Sequence, residues 1–360
     1  MTSRAVELLK RLIATPSISR QEDATARILL EYLRAEGFDA QQLYNNVWAY
    51  LRPYDPSLPT LLLNSHHDTV KPSPAYTRRP HELVVEGDRL YGLGSNDAGA
   101  SLTGLLHVFI SLKDTPLPFN LLFLATAEEE VTGAGGMRAM VQHWAETGTT
   151  PRWAIIGEPT GMNAALAERG LVVLDCTATA AGGHAARPGG ENALYVAMDD
   201  IQTLRNLRFP KESQLLGPIK VTATQISAGT QHNVLPTECK FVVDVRTTDA
   251  LSNEETVDYI RGAIRSQAEP RSTHIRASAI AADHPLVRAA VASGASTFVS
   301  PTTSDQSVLP MVDTLKIGIG LSERSHTPDE FVCLSEIDRG IKQYLKLITT
   351  FANETLEQGF

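Results

Sequence analysis

Residues 61–69 read Leu-Leu-Leu-Asn-Ser-His-His-Asp-Thr. The apolar beginning of this stretch predicts a short buried strand, which places the polar residues at the strand's carboxyl end. Because side chains alternate along a strand, we expect His66 and Asp68 to face one way and His67 the other. Ligands of open α/β sheets gather at this end of the strands. The stretch therefore predicts an α/β sheet with a site at its carboxyl edge, although two histidines in a simple turn would give the same pattern.

Outward from this strand, the first part of the chain alternates between helical and strand patterns. Helices are predicted near residues 3–14, 22–36, 101–112 and 136–145, and strands near residues 61–63, 119–125 and 153–156. This alternation predicts an α/β domain with a mostly parallel, mixed sheet flanked by helices.

The pattern changes at about residue 170. Strands are predicted near residues 171–178, 219–226, 239–246 and 274–280, and helices near residues 192–207 and 253–267. Their order, βαββαβ, is that of a ferredoxin-like unit. A helix near 284–293, a strand near 315–319 and a helix near 336–351 follow. We therefore predict a small domain, residues 170–282, inserted into a larger domain made of residues 1–169 and 283–360.

The composition restricts the class of protein. A chain of 360 residues suggests about two domains, and 42% hydrophobic with 20% charged residues is typical of a globular protein. A net charge of −9 argues against a nucleic-acid partner, which needs a basic surface. The first residues lack the features of a signal peptide, and nothing in the chain calls for a membrane. Three widely spaced cysteines fit a reducing cytoplasm.

Four further stretches place acidic or histidine side chains after predicted strands or in polar loops. They are residues 91–99 (Tyr-Gly-Leu-Gly-Ser-Asn-Asp-Ala-Gly), 127–131 (Ala-Glu-Glu-Glu-Val), 155–160 (Ile-Ile-Gly-Glu-Pro-Thr) and 320–330 (Gly-Leu-Ser-Glu-Arg-Ser-His-Thr-Pro-Asp-Glu). Each alone has a structural alternative, such as a turn, a helix cap or a solvated acidic run. A nucleotide-binding loop is a further alternative for residues 92–99.

Taken together, the five stretches indicate a metal site. His66, Asp97, the acidic run at 128–130, Glu158 and His326 supply only nitrogen and oxygen donors, which zinc accepts. Cations also make clustered carboxylates favourable. Asp97 precedes a strong predicted helix, whose dipole favours the ionised carboxylate, and such a carboxylate can bridge two cations.

These motifs, in this order over nearly the whole chain, resemble the acetylornithine deacetylase and succinyl-diaminopimelate desuccinylase family, part of a broader zinc aminoacylase and carboxypeptidase group. The chain is most similar to the short acetylornithine deacetylase branch. The resemblance implies two zinc ions, which cobalt or manganese can replace. The implied ligands are His66, Asp97 as the bridge between the metals, Glu130, Glu158 and His326.

The resemblance also implies roles for other residues. Asp68 would orient His66, and Glu129 would be the general base. The inserted domain would be a lid and the interface of a homodimer, with His184 stabilising the oxyanion in the partner's active site. Asn233 and Arg246 would bind the substrate carboxylate, and Ser304 would lie in a loop near the substrate pocket.

Two stretches depart from the family pattern. Many relatives have Asp-x-Lys-Gly where residues 97–99 are Asp-Ala-Gly, and Asp-Glu-Glu where residues 128–130 are Glu-Glu-Glu. The valine at 131 and the glycines after it fix the register of the second stretch. Neither departure removes an implied ligand.

The expected protein is a cytoplasmic, metal-dependent amidohydrolase that acts on a small molecule. It would remove the acyl group from an Nα-acyl-L-amino acid, first of all N-acetyl-L-ornithine in arginine biosynthesis, with N-acyl-citrulline and N-succinylornithine as related substrates. The enzymatic alternatives are a succinyl-diaminopimelate desuccinylase and a metallo-dipeptidase. From another class, an inactive, metal-binding dimeric scaffold remains an alternative.

Overall fold

A computed structural model describes residues 2–309 and 311–357. The helices are α1 (Thr2–Ile13), α2 (Asp23–Ala35), α3 (Ala100–Ser111), α4 (Met137–Thr147), α5 (Ala193–Asn206), α6 (Asn253–Ala263), α7 (Pro285–Ser293) and α8 (Leu334–Glu357). The strands are β1 (Gln41–Leu43), β2 (Asn46–Tyr50), β3 (Thr60–His66), β4 (Val84–Glu86), β5 (Arg89–Tyr91), β6 (Asn120–Thr126), β7 (Trp153–Ile156), β8 (Ala164–Glu168), β9 (Gly170–Thr179), β10 (Gly183–His184), β11 (Lys220–Ala228), β12 (Val234–Leu235), β13 (Glu238–Thr247), β14 (Gln267–Pro270), β15 (Ser278–Ala279), β16 (Thr297–Ser300), β17 (Asp313–Lys316) and β18 (Phe331–Cys333).

The chain forms two compact units. The first comprises Met1–Leu166, Ile280–Phe298 and Ser304–Phe360, and the second comprises Ala167–Ala279 and Val299–Thr303. The predicted fold class, an α/β protein with a mixed sheet flanked by helices, is confirmed. In the described part of the chain, no helix combines the length and the apolar character needed to cross a membrane.

The sheet of the first unit has the strand order β1-β2-β6-β3-β7-β17-β8. Its four central strands, β6, β3, β7 and β17, run parallel, and β2 and β8 run antiparallel to their neighbours. Leu61 and Leu63 of β3 pack in one apolar core with α3 and α8, whereas Leu62 packs in a second core with α4. Both faces of the sheet are therefore covered, which explains why β3 is an unbroken apolar run.

Strand register brings the proposed site to one edge of this sheet. His66, the last residue of β3, pairs with Thr126, the last residue of β6. Asn64 of β3 pairs with Ile156, the last residue of β7. The segments that follow these strands therefore begin side by side.

A small antiparallel sheet, β18-β5-β4, also belongs to the first unit and was not predicted. It pairs Phe331 with Tyr91. Its strands have three residues each, too few to produce a clear alternation in the sequence. The pairing brings the loop after β5 next to the loop before β18.

The second unit contains the antiparallel sheet β11-β13-β9-β14 with α5 and α6, in the chain order βαββαβ of a ferredoxin-like unit. The strand predicted at residues 274–280 is wrong as the fourth strand of this sheet. That strand is β14, Gln267–Pro270, which pairs with β9 after α6 has ended at Ala263. Only Ala268 of β14 is fully buried, so its sequence carries almost no apolar signal. Within residues 274–280, Ser278–Ala279 instead pairs with the end of β8.

Candidate metal centre

Five side chains predicted as ligands come together in the first unit. His66 ends β3, and Asp97 lies in the turn Ser95–Gly99 before α3. Glu130 lies in a 3-10 turn (Glu129–Val131) after β6, Glu158 follows β7, and His326 lies in the loop before β18. Three of these positions follow adjacent parallel strands, as expected for a site at the carboxyl edge of an α/β sheet.

Asp97 lies between two pairs of donors. Its Oδ1 is 3.2 Å from Nε2 of His66, and its Oδ2 is 3.6 Å from Nε2 of His326. Nε2 of His66 is also 3.9 Å from Oε1 of Glu158, and Nε2 of His326 is 2.9 Å from Oε2 of Glu130. The two oxygens of Asp97 therefore face different partners, as a carboxylate that bridges two metals requires.

These separations fit the dimensions of zinc sites. Nitrogen and oxygen donors about 2.0–2.2 Å from a tetrahedral zinc ion lie about 3.3 Å from one another, and the observed distances lie on either side of that value. Two triplets of donor atoms lie within 4.8 Å of one another: His66 with Asp97 and Glu130, and His66 with Glu129 and Glu158. Both triplets contain His66, so together they mark one candidate metal site.

The electrostatics of the cluster favour added positive charge. Burial and the charge of Glu158 raise the pKa of Glu129 well above its ordinary value, and burial raises the pKa of Glu158 to about 8. The hydrogen bond to Glu130 raises the pKa of His326 to about 9. Burial alone would raise the pKa of Asp97, but its contacts with His66, Ser325 and His326 together lower it. Divalent cations would compensate these crowded carboxylates.

His66 is oriented by its own backbone neighbourhood. Nδ1 lies 3.0 Å from the backbone oxygen of Asp68 and 3.4 Å from Oδ1 of the same residue. A carbonyl oxygen only accepts hydrogen bonds, so in a neutral ring Nδ1 carries the proton and Nε2 keeps a lone pair facing Asp97. That is the tautomer that a cation at Nε2 requires.

His67 points away from the cluster. Its Nδ1 is 2.9 Å from Oγ1 of Thr25, and its Nε2 is 2.9 Å from the backbone oxygen of Asn45. Burial lowers the pKa of His67 to about 4, which keeps the ring neutral. The two adjacent histidines therefore have separate environments on opposite sides of the chain.

Carboxylates from other segments hold the turn that carries Glu129 and Glu130. Asp68 accepts hydrogen bonds from the backbone N–H groups of both residues, at 3.1 Å through Oδ1 and 3.2 Å through Oδ2. Oε1 of Glu22 accepts from the N–H of Glu128 at 3.2 Å. Three consecutive N–H groups are thus fixed by two buried side chains.

Three buried carboxylates near the cluster were not predicted to have a role. Glu22 supports the turn just described, Glu330 accepts from the loop of Asp97, and Asp305 accepts a 2.6 Å hydrogen bond from Oγ1 of Thr126. Glu22 directly precedes α2, Asp305 follows Ser304, and Glu330 ends the quoted stretch 320–330. In the sequence, only the closeness of Asp305 and Glu330 to proposed site residues could have pointed to them.

The other predicted site residues divide between the two units. Ser304 is buried in the first unit, directly before a 3-10 turn, Asp305–Val308. His184, Asn233 and Arg246 belong to the second unit. There the β10–β12 pairing sets His184 opposite Val234, and the backbone oxygen of Asn233 accepts from the N–H of Ala185.

Residues 62–350 match peptidase family M20/M25/M40. The chain belongs to this family. It is therefore a hydrolase that acts on amide C–N bonds, and the predicted family resemblance is confirmed.

Named M20 relatives include deacetylases and peptidases. The chain is 26% identical to the acetylornithine deacetylase of Proteus mirabilis (strain HI4320) in an alignment of 376 positions, which covers 96% of each protein. It is 29% identical to that of Aliivibrio salmonicida (strain LFI1238) over 310 residues, 80% of each. A tripeptidase from Staphylococcus aureus superimposes with a TM-score of 0.76 at 19% identity, covering 98% of this chain and 99% of that one. A Bacillus subtilis protein described as a dinuclear metal-binding peptidase of the M20 family gives 0.70 at 16% identity, with 98% of both chains covered. At these identities the structural likeness shows a shared fold.

Proposed function

We propose that the protein is a two-zinc amidohydrolase that removes the acyl group from an Nα-acyl-L-amino acid. The position of Asp97 between two donor pairs supports this most directly. The named deacetylase relatives favour N-acetyl-L-ornithine as the substrate, with N-acyl-citrulline and N-succinylornithine next. Its place would be arginine biosynthesis in the cytoplasm.

Each metal position uses donors from different segments. His66 and Glu158 would hold one zinc ion, Glu130 and His326 the other, and Asp97 would contact both. Bound zinc ions supply Lewis acidity, which makes water nucleophilic at neutral pH and polarises the substrate carbonyl. The nitrogen and oxygen donors also accept cobalt or manganese.

Glu129 would move the proton. A water oxygen forms a bond to the acyl carbon while Glu129 takes a proton from that water. The C–N bond then breaks, and Glu129 passes the proton to the leaving amine, so that the products are a carboxylate and a free amino acid. The raised pKa of Glu129, caused by burial and Glu158, suits both transfers.

The second unit would bind the substrate and stabilise the oxyanion. Arg246 lies eight residues further along β13 than Glu238, about 26 Å in an extended strand. His184 and Asn233 lie beyond the Glu238 end, because the pairing of β10 with β12 continues the β9–β13 ladder past Thr179 and Glu238. Arg246 and Asn233 of one chain are thus too far apart to grip a single carboxylate.

We therefore assign these contacts to two chains of a homodimer. His184 and Asn233 would come from one chain, and Arg246 from the other. The long strand β11 is an edge of the second unit's sheet and offers free backbone groups for pairing with another copy. Ser304 would line the substrate pocket through its loop.

A panel of substrates tests this proposal. Hydrolysis of N-acetyl and N-succinyl forms of ornithine, citrulline and diaminopimelate, and of simple dipeptides, would be measured with added Zn²⁺ or Co²⁺. We expect the highest kcat/KM on an acetylated ornithine or citrulline. Cleavage of dipeptides without any acyl amino acid would support the metallo-dipeptidase alternative, and hydrolysis of none would contradict the proposal.

A further inference from the structure

One buried carboxylate fixes the loop that carries Asp97. Glu330 is only 2% exposed, and its Oε1 accepts from the backbone N–H groups of Asn96 at 2.8 Å and Asp97 at 2.9 Å. Its Oε2 accepts from the N–H of Gly94 at 3.0 Å. Glu330 therefore sets the backbone position of Asp97 directly.

Glu330 also belongs to the loop that carries His326. It follows His326 by four residues and directly precedes β18, which pairs with β5 just before the loop of Asp97. On the other side of His326, the side chain of Asn96 bonds Leu321 twice: Oδ1 accepts from its N–H at 2.9 Å, and Nδ2 donates to its backbone oxygen at 3.0 Å. The two loops are thus joined both before and after His326.

Both oxygens of Glu330 face backbone N–H groups, so it is placed to act through its neighbours and not as a ligand itself. His66 and Glu158 project from the ends of β3 and β7, which the parallel sheet holds in place. His326 has no strand of its own. Its distance from Asp97, 3.6 Å between Nε2 and Oδ2, depends on how the two loops are joined.

We infer that Glu330 is a positioning residue that sets the separation of Asp97 and His326, and with it the affinity of the metal position that these two share with Glu130. The inference rests on the proposed two-metal function. Asp97 would contribute to both positions, but the one with His66 and Glu158 keeps two ligands that the sheet holds in place. We therefore expect the loss of Glu330 to weaken the position of Glu130 and His326 more.

Asp200 supplies a matched control. It is also buried, 4% exposed, and accepts from the N–H groups of Arg265 at 3.0 Å and Ser266 at 2.8 Å and from Oγ of Ser266 at 2.5 Å. It lies in the second unit, which contains none of the five proposed ligands. A carboxylate with a purely structural role would behave as Asp200 does.

The test is a titration of the metal-free wild type, Glu330→Gln and Asp200→Asn with Co²⁺, monitored by visible absorption. Unfolding of the same three proteins by urea in the presence of EDTA is measured in parallel. We expect wild type and Asp200→Asn each to bind two equivalents of Co²⁺, and each equivalent to bind with similar affinity in the two proteins. Glu330→Gln should bind the first equivalent with at most a small loss of affinity and the second about 10–100-fold more weakly. The cause is that the amide turns one acceptor into an N–H₂ group facing a backbone N–H.

The unfolding curves show whether Glu330→Gln folds. Glu330→Asp, which keeps the carboxyl group but is one methylene shorter, is the second variant. Normal binding of both equivalents by whichever variant folds would overturn the inference. Equal weakening of both equivalents would overturn it too, because it predicts a selective loss. A wild type that binds fewer than two equivalents would contradict the two-metal function itself, before any variant is compared.

Discussion

Glu129 combines the position and the environment of a proton acceptor. Asp68 holds its backbone N–H, so its carboxylate projects from a fixed turn. Burial and the charge of Glu158 raise the pKa of Glu129 well above its ordinary value. A raised pKa makes the carboxylate a stronger base, and a base works best when its pKa is close to the pH of the reaction.

We expect Glu129→Gln to lower kcat by about 10²–10⁴-fold with both metal ions still bound, because the amide has nearly the same shape but cannot take a proton. Turnover and metal content would be measured together. Glu128→Gln is the matched control, since the same change falls on a side chain that accepts from Gly135 instead, and it should keep most of its turnover. Near wild-type turnover of Glu129→Gln would remove it as the base.

Residue types predicted which side chains meet at the metal centre, but not what holds them there. Histidine and acidic residues after apolar strands are visible in a sequence, and the five proposed ligands do lie together. Glu22 and Glu330 instead bind backbone N–H groups of segments far away in the chain. Every residue except proline offers such a group, so these contacts leave no mark in the sequence.

At the scale of elements, the burial and the length of a strand largely decided whether the sequence predicted it. β3, β6 and β7 are buried along their whole length, so their apolar runs identify them. β14 buries one side chain fully, and the strands of the β18-β5-β4 sheet are three residues long, so neither gave a usable pattern. The parts of the fold that lie in the core were therefore predicted, and the short strands at its margins were not.

His184 lies in β10, which pairs with β12, and its proposed role can be tested separately. If His184 acts in the partner's active site, a heterodimer of His184→Ala and Glu129→Gln chains contains one site with both groups intact. We expect mixing the two inactive variants, after dissociation and reassociation, to restore activity, measured as turnover against each variant alone. Mixing each variant with itself is the control. No recovery, with heterodimers shown to have formed, would argue that each site is complete within one chain.

At the scale of the whole molecule, either metal ions or protons can compensate the negative charge of the buried carboxylates. Burial raises the pKa of Glu158 and of Glu330 to about 8, and the hydrogen bond to Glu130 raises the pKa of His326 to about 9. Without metal, these three groups therefore hold more protons in the folded state than in the unfolded chain, from pH 4.5 to about 8 for the two glutamates and from pH 6.5 to about 9 for His326. Stability falls as pH rises wherever the folded state binds more protons.

We expect the Tm of the metal-free protein to fall between pH 6.5 and 9, and two equivalents of Zn²⁺ to reduce that fall, because cations then supply the compensating charge. Thermal unfolding followed by circular dichroism, with and without zinc at each pH, would measure both. A Tm that is flat or rises over this range without metal would contradict the proposed charge balance.

The contacts of Asp68 and Glu22 with the turn at residues 128–130 also bear on how the site can change over evolutionary time. Both side chains bind main-chain N–H groups, which remain when the side chain on the same residue is exchanged. The side chain of residue 128 can therefore change without moving these N–H groups. Glu129 and Glu130, the proposed base and ligand, would keep their places through such a change, so new acyl preferences could be selected elsewhere without rebuilding the chemistry.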